Sequence, residues 1–219
     1  MTCSAAAPVG AFAVAATVAM RDAPASSPLG PTAAIAAVLA GASARPAQLV
    51  LVDGPSGAGK STFADRLLAA WPAHAARLVR LDQVYPGWHG LDPGAERLRR
   101  DLVDPFARGA PARWRRWDWS ADAVAAVERM PPGRPLIVEG CGAFAAGADV
   151  EGAVRVWVTA PDGLRRRRAL DRDDGGFDDY WDLWEAQWRR HVARDRPDRR
   201  ADVRVRVPSG VGALAQRAG

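Results

Sequence analysis

Residues Gly54-Pro55-Ser56-Gly57-Ala58-Gly59-Lys60-Ser61-Thr62 carry the spacing G-x-x-x-x-G-K-[S/T]. Glycines at this spacing let a tight loop turn a run of main-chain N–H groups inward, and the start of a helix adds its partial positive charge. The flanks supply the context that such a loop requires. Gln48 to Asp53 (QLVLVD) reads as a buried strand, and Ser61 to Trp71 reads as a helix. Lys60 is the only lysine among 30 basic residues, the others being arginine. A compact ammonium is kept where a phosphate chain must be approached end-on, a position that the planar guanidinium fork fits poorly.

From this unit onward strands and helices alternate. The further strands expected are Arg77–Asp82, Leu136–Glu139, Val154–Val158 and Asp202–Val207. Helices are expected at Thr32–Gly41, about Gly94–Ala107, about Ala121–Arg129, Asp162–Arg172 and Asp178–Arg194. Short apolar strands separated by helices imply an α/β domain with a parallel sheet covered on both faces. Phe177, Trp181, Trp184, Trp188 and Val192 recur at helical spacing and read as core packing. Residues 1–30 are rich in Ala, Pro, Ser and Gly without lasting periodicity and read as a disordered or weakly ordered extension, leaving one domain over 31–219.

Composition narrows the function classes. A formal net charge of +5 points to polyanionic partners, either nucleic acid or the phosphates of a small ligand. No helix-turn-helix, zinc-finger or aromatic RNA-binding signature accompanies the arginines, which argues against nucleic acid. Cys3 and Cys141 are the only cysteines, too few for a disulfide framework or metal cluster, and suit a reducing cytoplasm. The apolar run over residues 4–20 lacks a basic start and contains Pro8 and Gly10, so it is not read as a secretion signal. It is also too short to span a bilayer, so no membrane partner is expected; Met20 offers an alternative start.

Four groups of residues are candidates for chemistry. The loop, Gly54 to Thr62, would hold the α- and β-phosphates of ATP, with Lys60 on the transferring phosphate and Ser61 on Mg²⁺. Asp82 is expected at the carboxyl end of the second strand, the ligand-binding edge of open α/β sheets. It would serve as general base, as a water-mediated Mg²⁺ contact or as a strand-end cap. Glu139 ends the third strand and suits water-mediated Mg²⁺ contact. Arg165, Arg168 and Arg172 share one helix face through three- and four-residue spacings. That face would close over phosphate, or stand solvated beside Asp162, Asp171, Asp173 and Asp174, and Gly175-Gly176 would let a lid over about 162–176 move. The segment between the second and third strands holds Tyr85, Trp88, His89 and Arg113 to Trp119, which suit a ring-stacking pocket or a small core equally. Tyr85, Trp88, Arg116 and Asp118 are its candidate substrate contacts; His89 and His191 read as surface or core residues.

Taken together, GPSGAGKST, Asp82 followed closely by Tyr85, the Leu-Ile-Val-Glu-Gly run of the third strand and the Arg165, Arg168, Arg172-Asp173 series resemble the uridine kinase-like branch of the P-loop kinases over about residues 48–207. The resemblance implies a three-layer α/β/α P-loop NTPase fold with a five-stranded parallel sheet in the order 2-3-1-4-5 and a helical lid. It also implies that Asp82 accepts the acceptor's proton and that the lid arginines embrace the phosphates. Trp117-Asp118-Trp119 is similar to the family's aromatic–Asp–aromatic segment, but the histidine that follows it in nucleoside binders is absent from 120–128.

The expected activity is transfer of the γ-phosphoryl group of ATP·Mg²⁺ to a hydroxyl or phosphate of a small molecule. The alternative is an ATP-binding protein or ATPase without kinase activity. A GTPase would need a second lysine for its Asn-Lys-x-Asp motif, and Leu81-Asp82-Gln83 lacks the Asp-Glu end of a motor ATPase strand.

Overall fold

The computed structural model describes residues 27–45, 48–172 and 175–208. The expectation for the N-terminal extension falls, over residues 1–26, outside them. Thirteen residues, Pro31–Ser43, form α1, followed by β1 (Leu49–Asp53), α2 (Lys60–Ala70) and β2 (Arg77–Arg80). Next come α3 (Leu91–Leu98), a π turn (Arg99–Val103) and the short α4 (Asp104–Ala107). A hairpin of β3 (Ala112–Asp118) and β4 (Ala123–Met130) precedes β5 (Leu136–Glu139) and α5 (Ala143–Ala146). The described residues continue through β6 (Val154–Thr159), α6 (Asp162–Arg172), α7 (Trp181–Asp195) and β7 (Val203–Arg206).

Five strands form a parallel sheet in the order β2-β5-β1-β6-β7. Its strands taken alone in chain order stand 2-3-1-4-5; the numbering differs because β3 and β4 lie outside the sheet. The central strands β1 and β5 are buried at every position, as strands covered on both faces must be. Alternation along β1 divides the core. Val50 and Val52 pack with Val38, Phe63 and Leu67 of α1 and α2. Leu49 and Leu51 turn to the opposite cluster, which holds Leu91, Leu98, Phe144, Trp184 and Trp188 of α3, α5 and α7. Leu29 adds a single parallel bridge to Val205 beside β7.

Two expectations are corrected. The helix expected over about Ala121–Arg129 is strand β4, paired antiparallel with β3 from Ala112↔Met130 to Asp118↔Ala123. Alanine favours a helix locally, but β3 buries Ala112 and Trp114 against the π turn and exposes an unpaired edge that β4 satisfies. Strand β2 stops at Arg80, and Asp82 sits in a 3₁₀ turn, Leu81–Gln83, just beyond it. Leu81 at the head of that turn is fully buried and pulls the chain out of the sheet plane.

Candidate active site

The loop between β1 and α2 is held from below by Asp53. This fully buried carboxylate accepts hydrogen bonds from Gly54 N (2.7 Å) and Gly142 N (3.1 Å) through Oδ1, and from Phe144 N (2.9 Å) through Oδ2. It thereby fastens the start of the loop to the segment after β5. Gly57 has φ +73°, and a Cβ there would collide with the main-chain carbonyl of Arg165, so the loop lies directly against α6. The N–H groups of Gly57, Gly59, Lys60 and Ser61 meet no acceptor among the described residues, leaving a concave row of donors. That row suits the oxygens of a phosphate chain.

Lys60 is buried and bends back over the loop, its Nζ donating to Pro55 O at 3.0 Å and to Cys141 Sγ at 3.5 Å. Burial opposes its charge, but Cys141, Glu139, Asp82 and Asp53 more than offset this and raise its pKa, so it remains an ammonium. Glu139 accepts a hydrogen bond from Ser61 Oγ through Oε1 (3.3 Å). Its Oε2 accepts none, although it is buried and lies 3.7 Å from Arg80 Nε. Burial pushes its pKa up to about 7 against the pull of Lys60, with Asp82 adding to the rise. A buried oxygen without a donor, next to a serine hydroxyl, has the chemistry of a site for a hard cation. Mg²⁺ takes few protein ligands when phosphates and water complete its shell, so the pair fits it. Among the described residues no cluster of three or more His, Cys, Asp or Glu forms a self-sufficient metal cage.

Ser56, Gly57, Gly59, Lys60, Ser61, Thr62 and Glu139 line one side of a cavity of about 880 Å³. Asp82, Arg80, Tyr85, Trp88, Trp119, Ser120, Phe177, Trp184, Arg168 and Arg172 complete it. The turn carrying Asp82 is steadied by Trp119, whose Nε1 donates to Asp82 O at 2.7 Å. Trp88 stacks on Tyr180 (4.5 Å between centroids, 7°) and on Phe177 (5.2 Å, 16°), while Tyr85 meets Trp184 edge-on at 4.8 Å. Tyr85 spends its hydroxyl proton on Cys141 O at 2.7 Å, so it offers a ring rather than a donor.

Three candidates outside the loop are not brought to the cavity, and within the loop Gly54, Pro55 and Ala58 do not line it. Arg165 is buried and donates to Glu185 of α7 through Nη1 (2.9 Å) and Nη2 (2.7 Å) and to Asp162 through Nε (2.8 Å). Its guanidinium also lies over the Trp181 ring at 5.5 Å. The shared helix face therefore splits: Glu185 claims Arg165, and Arg168 and Arg172 line the cavity. Arg116 lies 3.9 Å from Glu128 on the partner strand. Asp118 caps the hairpin turn, its Oδ1 accepting from Ser120 N, Ser120 Oγ and Ala121 N. A register shift between Arg115 and Trp117 sets which hairpin residues face inward, and it presents Trp119 and Ser120 instead.

Residues that sequence reasoning missed are Arg80, Cys141, Ser120, Phe177 and Trp184, while Trp119 was legible only as part of the aromatic Arg113 to Trp119 segment. Phe177 and Trp184 were visible in the aromatic stripe, but one face of a buried ring can close a core while its edge lines a cavity. Cys141, two residues past Glu139, carried no signal of its own.

Strand, donor loop, helix, a buried carboxylate on the neighbouring strand and a basic helix against the loop belong to one α/β fold built on a five-stranded parallel sheet. A solved structure of a "possible uridine kinase" from Bacillus stearothermophilus shares this fold with a TM-score of 0.55 at 18% identity, covering 80% of this chain and 98% of that one. A "putative fructose transport system kinase" from Silicibacter sp. TM1040 aligns with a TM-score of 0.46 at 20% identity, over 78% of this chain and 98% of its own. No protein-family model matches the chain, and no curated protein matches it. None of the helices among the described residues is long and apolar enough to cross a membrane.

Proposed function

We propose that the chain is an ATP-dependent phosphotransferase acting on a hydroxyl of a small molecule. The observation that carries this is the convergence, in one cavity, of the donor loop, Lys60, the Ser61–Glu139 pair, the Asp82 carboxylate, Arg168 and an aromatic wall. The main-chain donors bind the phosphate chain, and Lys60 neutralises charge on the transferring group. Ser61 and Glu139 would hold Mg²⁺, which would supply neutralisation of charge on the phosphate chain. The acceptor lies between Asp82 and the rings of Tyr85, Trp88, Trp119 and Trp184. Its hydroxyl oxygen forms the new bond to the γ-phosphorus as the bond to the bridging oxygen of ADP breaks, and Asp82 takes the hydroxyl proton. Arg168 faces the charge that spreads over the phosphoryl oxygens, and Arg172 lines the same mouth. The aromatic wall excludes water, which limits wasteful hydrolysis.

The test is a panel of candidate acceptors with ATP and Mg²⁺, read as ADP formed above the acceptor-free rate. At least one hydroxylated small molecule should raise that rate. ATP binding with slow, acceptor-independent hydrolysis across a broad panel would favour the ATPase reading, and absence of nucleotide binding would remove both.

A further inference from the structure

A second cleft, of about 500 Å³, lies between the α3–π-turn segment and the β3–β4 hairpin and shares no lining residue with the active-site cavity. Its walls are Arg97, Arg100, Asp101, Arg113, Arg115 and Val124. Arg113 and Arg115 stand two positions apart on β3, so they project from one face, and both are exposed. Arg129 is directly opposite Arg113 in the hairpin register. Like charges facing each other across a ladder destabilise it unless an anion intervenes. Arg97, Arg113, Arg115 and Arg129 have no hydrogen-bond or ion-pair partner among the described residues. Among the described residues Asp101 is the one carboxylate lining the cleft, and it is already held by Arg100 at 2.7 and 3.0 Å. Both belong to the π turn, a rare backbone form that often marks functional positions.

We propose that this cleft binds a small ligand bearing two or more phosphate groups. Three guanidinium groups in its walls lack a counter-charge among the described residues, more than a single phosphate would neutralise. Their planar forks suit paired phosphate oxygens. The arginines converge on a concavity of small-molecule size instead of forming a track along the surface, which favours a compact ligand over a nucleic-acid backbone. Val124, 45% exposed in the cleft wall, offers apolar contact to the organic part of such a ligand. The walls α3 and β3 also pack on the turn that carries Asp82, so the cleft is placed to bias that turn.

The experiment is calorimetric titration of the full chain with inorganic tripolyphosphate, on wild type, Lys60→Ala and the double variant Arg113→Glu/Arg115→Glu. Wild type should show two sites. Lys60→Ala should lose one of them, and the double variant should lose the other, with affinity there falling roughly tenfold or more. Both substituted arginines are exposed on the hairpin, and circular dichroism reports whether the fold is kept. An unchanged two-site titration in the double variant, or a single wild-type site abolished by Lys60→Ala, overturns the proposal. So does a short single-stranded RNA that binds wild type, but not the double variant, where tripolyphosphate shows no second site. A site that survives Lys60→Ala and vanishes in the double variant upholds the cleft even if the kinase reading fails.

Discussion

At the scale of single residues, Lys60 and Glu139 are both buried at the cavity's edge, and the charge of each depends on the other. Glu139 has a raised pKa, so the folded chain holds its proton more tightly than the unfolded chain does. Its contribution to stability is therefore fullest below pH 4.5 and is lost as pH rises to about 7. At about 1.4 kcal/mol per pKa unit the swing is at most on the order of 3 kcal/mol. Glu139→Gln should remove that slope, so the difference in Tm between variant and wild type should grow from pH 5 to pH 8 in the variant's favour. A constant difference would show that the buried oxygen is not a source of strain. The same variant should lose Mg²⁺-dependent turnover. Lys60→Ala should lower phosphotransfer roughly 10²–10³-fold or more while leaving circular dichroism unchanged; near-normal turnover would remove Lys60 from the chemistry. Spacing and residue type alone marked these two positions, because a phosphate loop has almost no alternative way to arrange its donors.

Helix α6 divides its side chains between packing against α7 and lining the cavity. Removing Arg165 would leave Glu185, buried on α7, without its bidentate partner and with only Arg189 Nε at 3.2 Å, which costs up to about 3 kcal/mol. Arg165→Ala should therefore lower the denaturant midpoint sharply. Arg168 lines the cavity, so Arg168→Ala should slow transfer by orders of magnitude with little change in stability. Equal stability losses in the two variants would contradict this division. Gly57→Ala should push α6 off the loop, since the added methyl meets the Arg165 carbonyl. The arginine spacing was legible in the sequence as one helical face. Which arginine points where was not, because the choice was made by Glu185, twenty residues further along and on a different helix.

Across the whole molecule, the parallel sheet is rigid and doubly covered, whereas the β3–β4 hairpin is a two-stranded attachment with β4 mostly exposed. Two strands alone are marginal in water. Hydrogen exchange should thus release hairpin amides well before those of β1 and β5, and Trp114→Ala, which removes its fully buried anchor, should widen that gap. Uniform protection across hairpin and sheet would refute this view. The hairpin also explains the clearest misreading. Ala-Val-Ala-Ala-Val prefers a helix in isolation, and only the open edge of β3 makes a strand of it. What the amino-acid sequence determined by itself was local: the apolar runs that become buried strands, the glycine loop whose donors must face inward, and the carboxylates at or just past strand ends. Which side chains meet across elements was settled by packing in three dimensions. Arg165 pairs with Glu185, Trp119 steadies the Asp82 turn, and unpaired arginines from α3 and β3 converge on one cleft. Local order follows from short-range sterics and periodicity, but such meetings depend on packing between segments distant in the chain.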